Sequence, residues 1–588
     1  MCGIIGYVGE REVAPIIFSG LKKLEYRGYD SAGIATVHNG KICIKKDSGK
    51  IDDIHSRMNL KNLPGCLGLG HTRWATHGGV TRENAHPHTD CSGEIVLVHN
   101  GIIENFQELR KLLKNHDFES ETDTEIIAHL IEEEMKRGND FVEASKSALK
   151  KIVGHYATLI MSKNDKRIIA ARRGSPLVIG VGDKEYFPAS DIPAFIDYTK
   201  NVIYLQDHDF VVLDKKGPKF FSLLNGKEIK REVSTVDWDA EQARKGEFDH
   251  FMLKEIIEQT ETIQKAINQS SDVIKEVAED IKNAKGIFFV ACGTASYACM
   301  TGSYVFSKIA KKHINVVSGS EFPHFEHFLT DRTLVIEVSQ SGETADTLDA
   351  VKVARRKGSK VLSIVNVMGS SLTRNSDKCL LTQSGPEICV LSTKAYTAQI
   401  ALLILLAYAT AGKLEEGKKQ LKELYNSVYD LTALSTREHL KKLGEKLKNK
   451  DHMFTIGRGL MYPTALEAAL KLKEVSYIHT EGFAGGDLKH GTIALIEGGT
   501  PCIVFVSKDT ENDIISNAME IKSRGGYIIG VGSENNEIFD YFIKVPESDI
   551  TNPITHIIPM QILAYQVALL RGCDPDKPRN LAKSVTVR

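Results

Sequence analysis

Short apolar runs separated by polar turns fill the first 235 residues of the chain. Segments 95–99, 157–162 and 210–213 are apolar over strand length and end in polar or turn residues, which predicts strands. Segments 13–24 and 123–136 carry apolar residues at helical spacing and predict helices. This mixture predicts an α+β unit with layered sheets.

The chain becomes polar and charged at 234–247, which indicates a linker. A helical pattern begins at His250, with apolar residues at 251, 256, 257 and 263. Since one core rarely serves 588 residues, we expect three or four globular units.

The second part of the chain repeats itself. An apolar strand at 286–291 enters Cys292-Gly293-Thr294, and a second at 452–456 enters Gly457-Arg458-Gly459. Segments 334–338 and 360–365 are matched at a similar offset by 502–506 and 526–531. The repeat predicts a duplicated α/β domain, each copy with a doubly wound parallel sheet. Ligands are then expected at the carboxyl ends of the strands.

Composition narrows the functional classes. A formal net charge of -1 gives no electrostatic reason for nucleic acid or a membrane surface as partner. None of the ten cysteines forms a C-x-x-C pair or lies at zinc spacing with histidine, so we expect neither a disulfide framework nor a structural zinc site. No secretory signal is predicted, and the apolar stretch 400–411 is too short to span a bilayer. A cytoplasmic protein is expected.

Cys2 is a candidate nucleophile. If Met1 is removed, the thiol and a free α-amine share one residue, and an amine with a pKa of about 7.7–8.0 can act as general base. The alternative is a small residue that happens to follow the initiator methionine. Asn100-Gly101 follows an apolar strand and offers two donors for an oxyanion, although Asn-Gly is also a common hairpin turn.

These residues, with segments 26–33, 71–78 and 121–125, resemble the N-terminal-nucleophile glutaminase family over residues 2–235. The resemblance implies a four-layer αββα fold and hydrolysis of glutamine through a thioester, with release of ammonia. It implies Cys2 as nucleophile with its own amine as base, and Asn100 and Gly101 as oxyanion hole. The glutamine-binding residues it implies are Arg73 for the carboxylate, Asp123 for the ammonium, and Trp74, Thr76 and His77 around them.

The loop Ser339-Gln340-Ser341-Gly342-Glu343-Thr344 lies between a strand and a helix. Hydroxyls and backbone N–H groups at a helix N-terminus can bind phosphate, and the absence of a lysine in the loop favours a sugar monophosphate over a nucleoside triphosphate. The alternative is a Ser/Thr-rich helix cap.

Three charged residues lie on one face of the helix after Pro463: Glu467, Lys471 and Glu474. The face is either a solvated ridge or a buried polar site, in which a glutamate can shuttle protons. His490 lies in a glycine-flanked loop, and Lys583 lies five residues from the C-terminus, where side chains are usually solvated. Segment 578–587 nevertheless mixes apolar and polar residues as a docking loop does.

These segments resemble sugar isomerase (SIS) domains, and the whole chain resembles the family of isomerising glutamine–fructose-6-phosphate aminotransferases. The implied domains are 2–235, a linker at 236–248, two SIS domains at 249–435 and 436–575, and an active-site loop at 576–588. The resemblance implies glutamine and fructose 6-phosphate as substrates, a homodimer, no cofactor and no metal, and the first step of amino-sugar biosynthesis.

The resemblance also implies roles at the sugar site. Glu474 moves the proton between C1 and C2, with Lys471 in support, and Lys583 forms an imine with the ketose. His490 assists ring opening across a dimer interface, and Trp74 gates the passage of ammonia. The implied phosphate and sugar contacts are Thr294, Ser339, Gln340, Ser341 and Thr344.

The chain departs from the common pattern at Ala295, where many members have serine, and at Asp487 and Thr492 beside His490. One sugar contact is therefore expected to be missing. Two competing functions are a phosphoribosyl amidotransferase, which would not need the duplicated half, and a non-catalytic sugar-phosphate sensor, which would not need Cys2, Glu474 and Lys583 together. A deglycase would leave the glutaminase half unexplained.

Overall fold

A computed structural model of the chain describes residues 2–75, 77–236 and 245–586. The chain divides into two compact units, residues 1–244 with 582–588, and residues 245–581. The boundary between the units falls inside the predicted linker, of which residues 237–244 lie outside the described part of the chain.

The first unit contains two large sheets. One has eight strands in the order β15-β11-β9-β10-β1-β4-β2-β3, and the other has seven in the order β14-β13-β12-β8-β7-β6-β5. The strands are β1 Gly3–Val8, β2 Ser31–His38, β3 Lys41–Ser48, β4 Leu67–Arg73, β5 His88–Thr89, β6 Ile95–Ile103, β7 Gly154–Ser162, β8 Ile168–Arg173, β9 Val178–Val181, β10 Tyr186–Ala189, β11 Asn201–Tyr204, β12 Asp209–Asp214, β13 Gly217–Ser222, β14 Glu228–Ile229 and β15 Ser234–Thr235.

Helices cover the outer faces of this sheet pair. Apolar residues of both sheets, such as Ile4 of β1 and Val98 of β6, form one core between the sheets, and a second core lies between the seven-stranded sheet and its helices. The helices of the unit are α1 Val13–Leu24, α2 Ile51–Met58, α3 Phe106–Leu112, α4 Glu125–Lys136 and α5 Phe141–Lys150. With α1 against β1 and β4, and α4 and α5 on the other side, the αββα expectation is confirmed.

The predicted strand at 95–99 continues through Asn100-Gly101 to Ile103, where β6 pairs with β7 without interruption. The hairpin-turn alternative for Asn100-Gly101 is therefore wrong. The long antiparallel pairing with β7 overrides the local turn preference of the dipeptide.

The second unit contains two parallel five-stranded sheets, ordered β17-β16-β18-β19-β20 and β22-β21-β23-β24-β25. The duplicated α/β expectation is thus confirmed. The strands are β16 Gly286–Ala291, β17 Asn315–Ser318, β18 Thr333–Ser339, β19 Lys360–Val365, β20 Lys378–Leu381, β21 His452–Gly457, β22 His479–Ala484, β23 Pro501–Phe505, β24 Tyr527–Gly532 and β25 Tyr541–Lys544.

One apolar core runs through both sheets and the helices between them. Because parallel strands need covered faces, most of these helices carry a broad buried side. They are α6 Phe251–Ile257, α7 Gln259–Ile267, α8 Ser271–Asn283, α9 Thr294–Val305, α10 Ala345–Arg356, α11 Ser371–Arg374, α12 Lys394–Thr410, α13 Leu414–Thr432, α14 Leu434–Leu447, α15 Met461–Ser476, α16 Glu511–Lys522 and α17 Asn552–Leu570.

Two apolar helices form the centre of this core. The apolar stretch at 400–411 is the buried part of α12, as expected. A longer apolar helix follows at Asp549–Leu570, which by length and composition alone could cross a membrane. In the structure 83% of its apolar window is buried, as in a core helix. The sequence pattern did not reveal its length because His556 and Gln561, both buried, interrupt the apolar run.

Candidate active sites

The nucleophile candidate Cys2 directly precedes β1 and is half-buried. Its Sγ accepts a hydrogen bond from the backbone N–H of Trp74 at 3.3 Å, just beyond the end of β4. Burial raises the pKa of the Cys2 thiol. A thiol in this state needs a nearby base to become a thiolate, which fits the requirement for an adjacent amine.

Asn100 is aimed at Cys2 by a histidine. Its Nδ2 donates to the Cys2 carbonyl at 2.8 Å, while its Oδ1 lies 3.1 Å from His71 Nε2. The same Nε2 lies 3.1 Å from the carbonyl oxygen of His99. Both neighbours are acceptors, so Nε2 carries the proton. Burial, with Arg73 nearby, lowers the pKa of His71 to about 3, so the ring is neutral and fixes the amide with its donor toward Cys2.

Gly101 follows on the same strand with a φ of +134°, a conformation that side chains rarely adopt. A Cβ at this position would collide with the carbonyl oxygen of His155 on the paired strand β7. Only glycine therefore fits here, and its backbone lies immediately beyond the Asn100 side chain that contacts Cys2.

Arg73 ends β4 and is buried. Its guanidinium donates to the carbonyl oxygens of Gly79 at 2.9 Å and Gly78 at 3.1 Å, and also to that of His77. In this structure it closes the loop 77–79. Burial lowers the pKa of Arg73, although Asp30, Asp123 and Glu121 counteract the shift.

The other predicted glutamine-binding residues surround this loop. The Asp123 carboxylate is buried and accepts from the backbone N–H of Ile103 at 2.7 Å. Trp74 and His77 are half-buried, and the His77 ring packs edge-on against Phe106. Thr76 lies outside the described residues.

In the second unit, four polar groups meet where α9 and α15 face each other. Lys471 Nζ lies 3.0 Å from Thr294 Oγ1, 3.2 Å from Glu467 Oε1 and 2.7 Å from Glu474 Oε2. Lys471 and Glu467 have no solvent exposure, whereas Glu474 is partly open. The solvated-ridge alternative for this helix face is wrong, and the face is a buried polar site.

Charge compensation keeps the lysine of this site ionised. Burial lowers the pKa of Lys471, but Glu467 and Glu474 outweigh burial and raise it above its usual value. Burial raises the pKa of Glu467 to about 7, and Lys471 counteracts only part of that shift. The site therefore holds one cation between two carboxyl groups, one of which titrates near neutrality.

The loop 339–344 connects β18 to α10 in a fixed conformation. Ser339 Oγ accepts from the N–H of Gly342 at 3.0 Å, and Ser341 Oγ accepts from the N–H of Glu343 at 3.2 Å. Gly342 has a φ of +66°, and a Cβ there would collide with Ser370 Oγ. Thr344 is the N-cap residue of α10, yet its side chain makes no capping bond.

Two predicted residues of the sugar site remain, His490 and Lys583. His490 is exposed and ends a short 3-10 turn, Leu488–His490, in which its N–H donates to Asp487 at 3.0 Å. Lys583 is half-buried and belongs to 582–588, which group with the first unit, whereas Glu474 lies in the second.

Comparison with known proteins covers the whole chain. The SIS domain family matches residues 280–409 and 446–571, and the glutamine amidotransferase domain family matches 71–197. A glutamine–fructose-6-phosphate aminotransferase (isomerising) of Thermococcus kodakarensis is 47% identical over 100% of both chains. The chain belongs to the family of isomerising glutamine–fructose-6-phosphate aminotransferases. Family members of Pyrococcus horikoshii and Thermus thermophilus are 46% and 42% identical, again over 100% of both chains.

Solved structures match just over half of the chain. The C-terminal domain of the aminotransferase from Francisella tularensis is 34% identical, with a TM-score of 0.53, over 57% of this chain and 99% of that one. A tagatose-6-phosphate ketose/aldose isomerase from Escherichia coli shares the fold at 17% identity and a TM-score of 0.50, over 57% of this chain and 96% of that one.

The sequence motifs of this aminotransferase-family chain contain two residues, His71 and Glu467, for which no role was predicted. His71 orients Asn100, and Glu467 completes the pocket of Lys471. Nothing local to the sequence distinguishes His71 from its neighbour His77. The i, i+4 spacing places Glu467 beside Lys471, but only the burial of that face shows that Glu467 belongs to the site.

Proposed function

We propose that this chain converts glutamine and fructose 6-phosphate into glutamate and glucosamine 6-phosphate. The observation that carries the proposal is the family membership over the full length, which places both halves of the reaction in one chain. The proposed domains are 2–235, 249–435 and 436–575, with a linker at 236–248 and an active-site segment at 576–588.

In the glutaminase half, the Cys2 thiolate attacks the side-chain amide carbon of glutamine. Asn100 Nδ2 and the N–H of Gly101 hold the oxyanion, and the Asn100 contact to Cys2 supports this assignment. Ammonia leaves, and water hydrolyses the thioester to glutamate. The α-amine of Cys2, freed by removal of Met1, acts as base. Arg73 and Asp123 bind the carboxylate and ammonium of glutamine, with Trp74, Thr76 and His77 beside them.

In the sugar half, the phosphate binds to the loop 339–344 at the N-terminus of α10. The proposed contacts are Ser339, Gln340, Ser341 and Thr344, with Thr294 near the sugar. The free Thr344 cap position and the N-terminal N–H groups of a twelve-residue helix support an anion at this point.

Lys583 then forms an imine at C2 of the open-chain ketose, and ammonia displaces the lysine. The C2 imine acidifies the C1 protons, so Glu474 can remove one from C1 and return a proton at C2. Glu474 is the partly open carboxylate of the buried cluster, which supports this role, and Lys471 holds it in place. His490 assists ring opening from the partner subunit of a homodimer, a role that its exposure allows.

Ammonia passes from Cys2 to the sugar without release to water, with Trp74 as gate. Ammonia is mostly protonated in neutral water and then no longer nucleophilic, so a closed transfer preserves its reactivity. We place the enzyme in the cytoplasm, where its ten free cysteines fit a reducing environment. The reaction needs neither cofactor nor metal, and it would begin amino-sugar biosynthesis.

The test is product formation from glutamine plus fructose 6-phosphate by wild type, Cys2→Ala and the exposed-thiol control Cys66→Ala. Wild type and the control should form glucosamine 6-phosphate and glutamate in equal amounts, and Cys2→Ala neither. Hydrolysis of glutamine by wild type without amination of the sugar would refute the proposal for the second half.

The imine provides a separate test of the site. Borohydride reduction with fructose 6-phosphate should attach the sugar covalently to Lys583 in wild type, and Lys583→Arg should not be labelled. Labelling of another lysine instead would overturn the role of Lys583 without touching the glutaminase assignment. Sedimentation of the purified enzyme as a monomer would contradict the homodimer.

A further inference from the structure

Four side chains with metal-binding atoms converge in the first unit, away from the residues discussed so far. They are Cys91 in the turn between β5 and β6, His116 in the loop before α4, and His129 and Glu132 on α4. One ligand atom from each lies within 4.8 Å of all the others. All but Cys91 are buried.

The separations match a tetrahedral ion. His116 Nδ1 and His129 Nδ1 lie 3.2 Å apart, and Cys91 Sγ lies 3.5 Å from each of them. Glu132 Oε2 lies 3.1 Å from the first nitrogen and 3.5 Å from the second. For zinc bonds of about 2.0–2.1 Å to nitrogen and about 2.3 Å to sulfur, tetrahedral geometry gives about 3.3 Å between nitrogens and about 3.6 Å from sulfur to nitrogen.

Outer carboxylates orient both histidine rings, with each Nδ1 turned toward the cluster. His116 Nε2 lies 2.9 Å from Glu133 Oε1, and His129 Nε2 lies 3.4 Å from Glu125 Oε1. In a neutral ring whose Nε2 donates to its outer carboxylate, the Nδ1 lone pair is available to a cation. The two Nδ1 atoms, 3.2 Å apart, and Glu132 Oε2, 3.1 Å from the first of them, are then three acceptors that repel one another unless a cation lies between them. Carboxylates on the far nitrogen are also what orients the histidine ligands of metals in proteins.

We propose that Cys91, His116, His129 and Glu132 bind one zinc ion. A thiolate, two neutral imidazoles and a carboxylate form a neutral complex with a divalent cation, and this borderline-soft donor set suits zinc. The second oxygen of Glu132 is held by Lys136 at 2.9 Å, which fixes the carboxylate. A surface cavity of about 290 Å³ has Glu132 and Lys136 in its wall.

Four protein ligands make a closed, structural site rather than a catalytic one. The ion joins the turn before β6 to helix α4. Strand β6 carries Asn100 and Gly101, and α4 begins just after Asp123. It therefore ties together the two elements that present the oxyanion donors and the predicted ammonium contact. The sequence pattern did not reveal the site because its ligands come from three separated segments, with only the His-x-x-Glu pair of α4 local.

The test uses the full-length protein, produced with added zinc and purified without chelator. Metal analysis should find about one zinc per chain in wild type and in Cys66→Ser, which changes an exposed thiol of the same unit, and almost none in Cys91→Ser or Glu132→Gln. Circular dichroism checks that the variants are folded, and Glu132→Gln keeps the side-chain shape should Cys91→Ser fail to fold.

Two further measurements fix the ligands. Cobalt added to the metal-free protein should give a thiolate-to-cobalt charge-transfer band that Cys91→Ser lacks. Chelator should lower the melting temperature of wild type but not of Cys91→Ser. The proposal is overturned if wild type stays zinc-free after reconstitution, which would leave a shared proton between the histidines. It is equally overturned if both ligand variants retain zinc, because the ion then lies elsewhere.

Discussion

Lys471 Nζ lies 3.2 Å from Glu467 Oε1, and neither side chain has any solvent exposure. The lysine is buried because Glu467, Glu474 and Thr294 surround it with acceptors at 2.7–3.2 Å. Removal of one partner from a buried ion pair is strongly destabilising, because the other charge is left buried and uncompensated. The pair therefore couples the stability of the second unit to the proposed sugar site.

Replacement of Lys471 by methionine should destabilise the second unit. Glu467 would be left buried without its cation, at a cost of about 3–5 kcal/mol in free energy of unfolding. The helical circular dichroism signal reports this unit, since most of the long helices lie there. Tryptophan fluorescence reports the first part of the chain, where both tryptophans lie, and should be unchanged.

The exposed neighbour Lys473 provides the control, because Lys473→Met should change stability by less than about 0.5 kcal/mol. The double change Lys471→Met with Glu467→Leu removes both charges and should recover much of the lost stability without restoring activity. If the double variant is less stable than Lys471→Met alone, the pair is not the source of the cost.

The raised pKa of Glu467 predicts a pH dependence of stability. Its pKa of about 7 in the folded protein exceeds the unfolded value of about 4.3, so between these values only the folded chain holds the proton. The stabilising contribution is complete below about pH 4.3 and is lost as pH rises through 7. The variant Glu467→Gln has no titratable group at this position, so this pH dependence should be absent from it.

The free energy of unfolding of wild type, relative to Glu467→Gln, should therefore fall between pH 5 and pH 8, by up to about 3 kcal/mol. Urea titrations of both proteins over this range, followed by circular dichroism, measure the difference. A difference that stays constant would show that Glu467 remains ionised throughout, and one that grows with pH would show that its pKa is not raised in the folded protein.

Much of the fold could be predicted from the sequence because its signals are local. The bounds of α1, β16 and β19 are those predicted from the apolar pattern. The duplicated sheets follow from the repeat of strand and loop at fixed spacing along the chain. The motifs at Cys2 and 339–344 likewise lie within single segments.

What the sequence could not supply depends on contacts between distant segments. Periodicity placed Glu467 and Lys471 on one face of α15 but could not say that α9 would cover it, with Thr294 as partner. The role of His71 likewise requires β4 and β6 to lie on facing sheets, so that its Nε2 reaches Asn100.

Gly342→Ala should damage the sugar site selectively. Its positive φ and the collision with Ser370 Oγ would force the loop 339–344 to move, so the KM for fructose 6-phosphate should rise at least about tenfold. Glutaminase activity should persist. Gly412→Ala is matched in φ, at +76°, but meets nothing within 4 Å, and it should leave the KM unchanged. Equal effects of both substitutions would exclude a local role for the loop.

Gly101→Ala makes the corresponding test in the glutaminase half. The new Cβ would push β6 away from the His155 carbonyl, so glutamine hydrolysis should be lost and tryptophan fluorescence should show a less stable first unit. Gly138 also has a positive φ, +95°, but open space, so Gly138→Ala should cost only about 1 kcal/mol and retain activity. Full glutaminase activity of Gly101→Ala would contradict its assignment to the oxyanion hole.

His71 should act on catalysis only through Asn100. Asn100→Ala removes one proposed oxyanion donor and should lower the kcat of glutamine hydrolysis by about 10²–10³-fold. His71→Phe leaves the amide in place but free to turn, and should lower kcat by about tenfold with little change in KM for glutamine. His38→Phe, an exposed histidine of the same unit, should have no effect.

The double variant decides between positioning and direct participation. If His71 only orients the amide, His71→Phe should add nothing once Asn100 is alanine, because there is no donor left to aim. If the two losses instead multiply, His71 contributes to the reaction by another route, and the hydrogen bond from its Nε2 to Asn100 Oδ1 is not the reason for its effect.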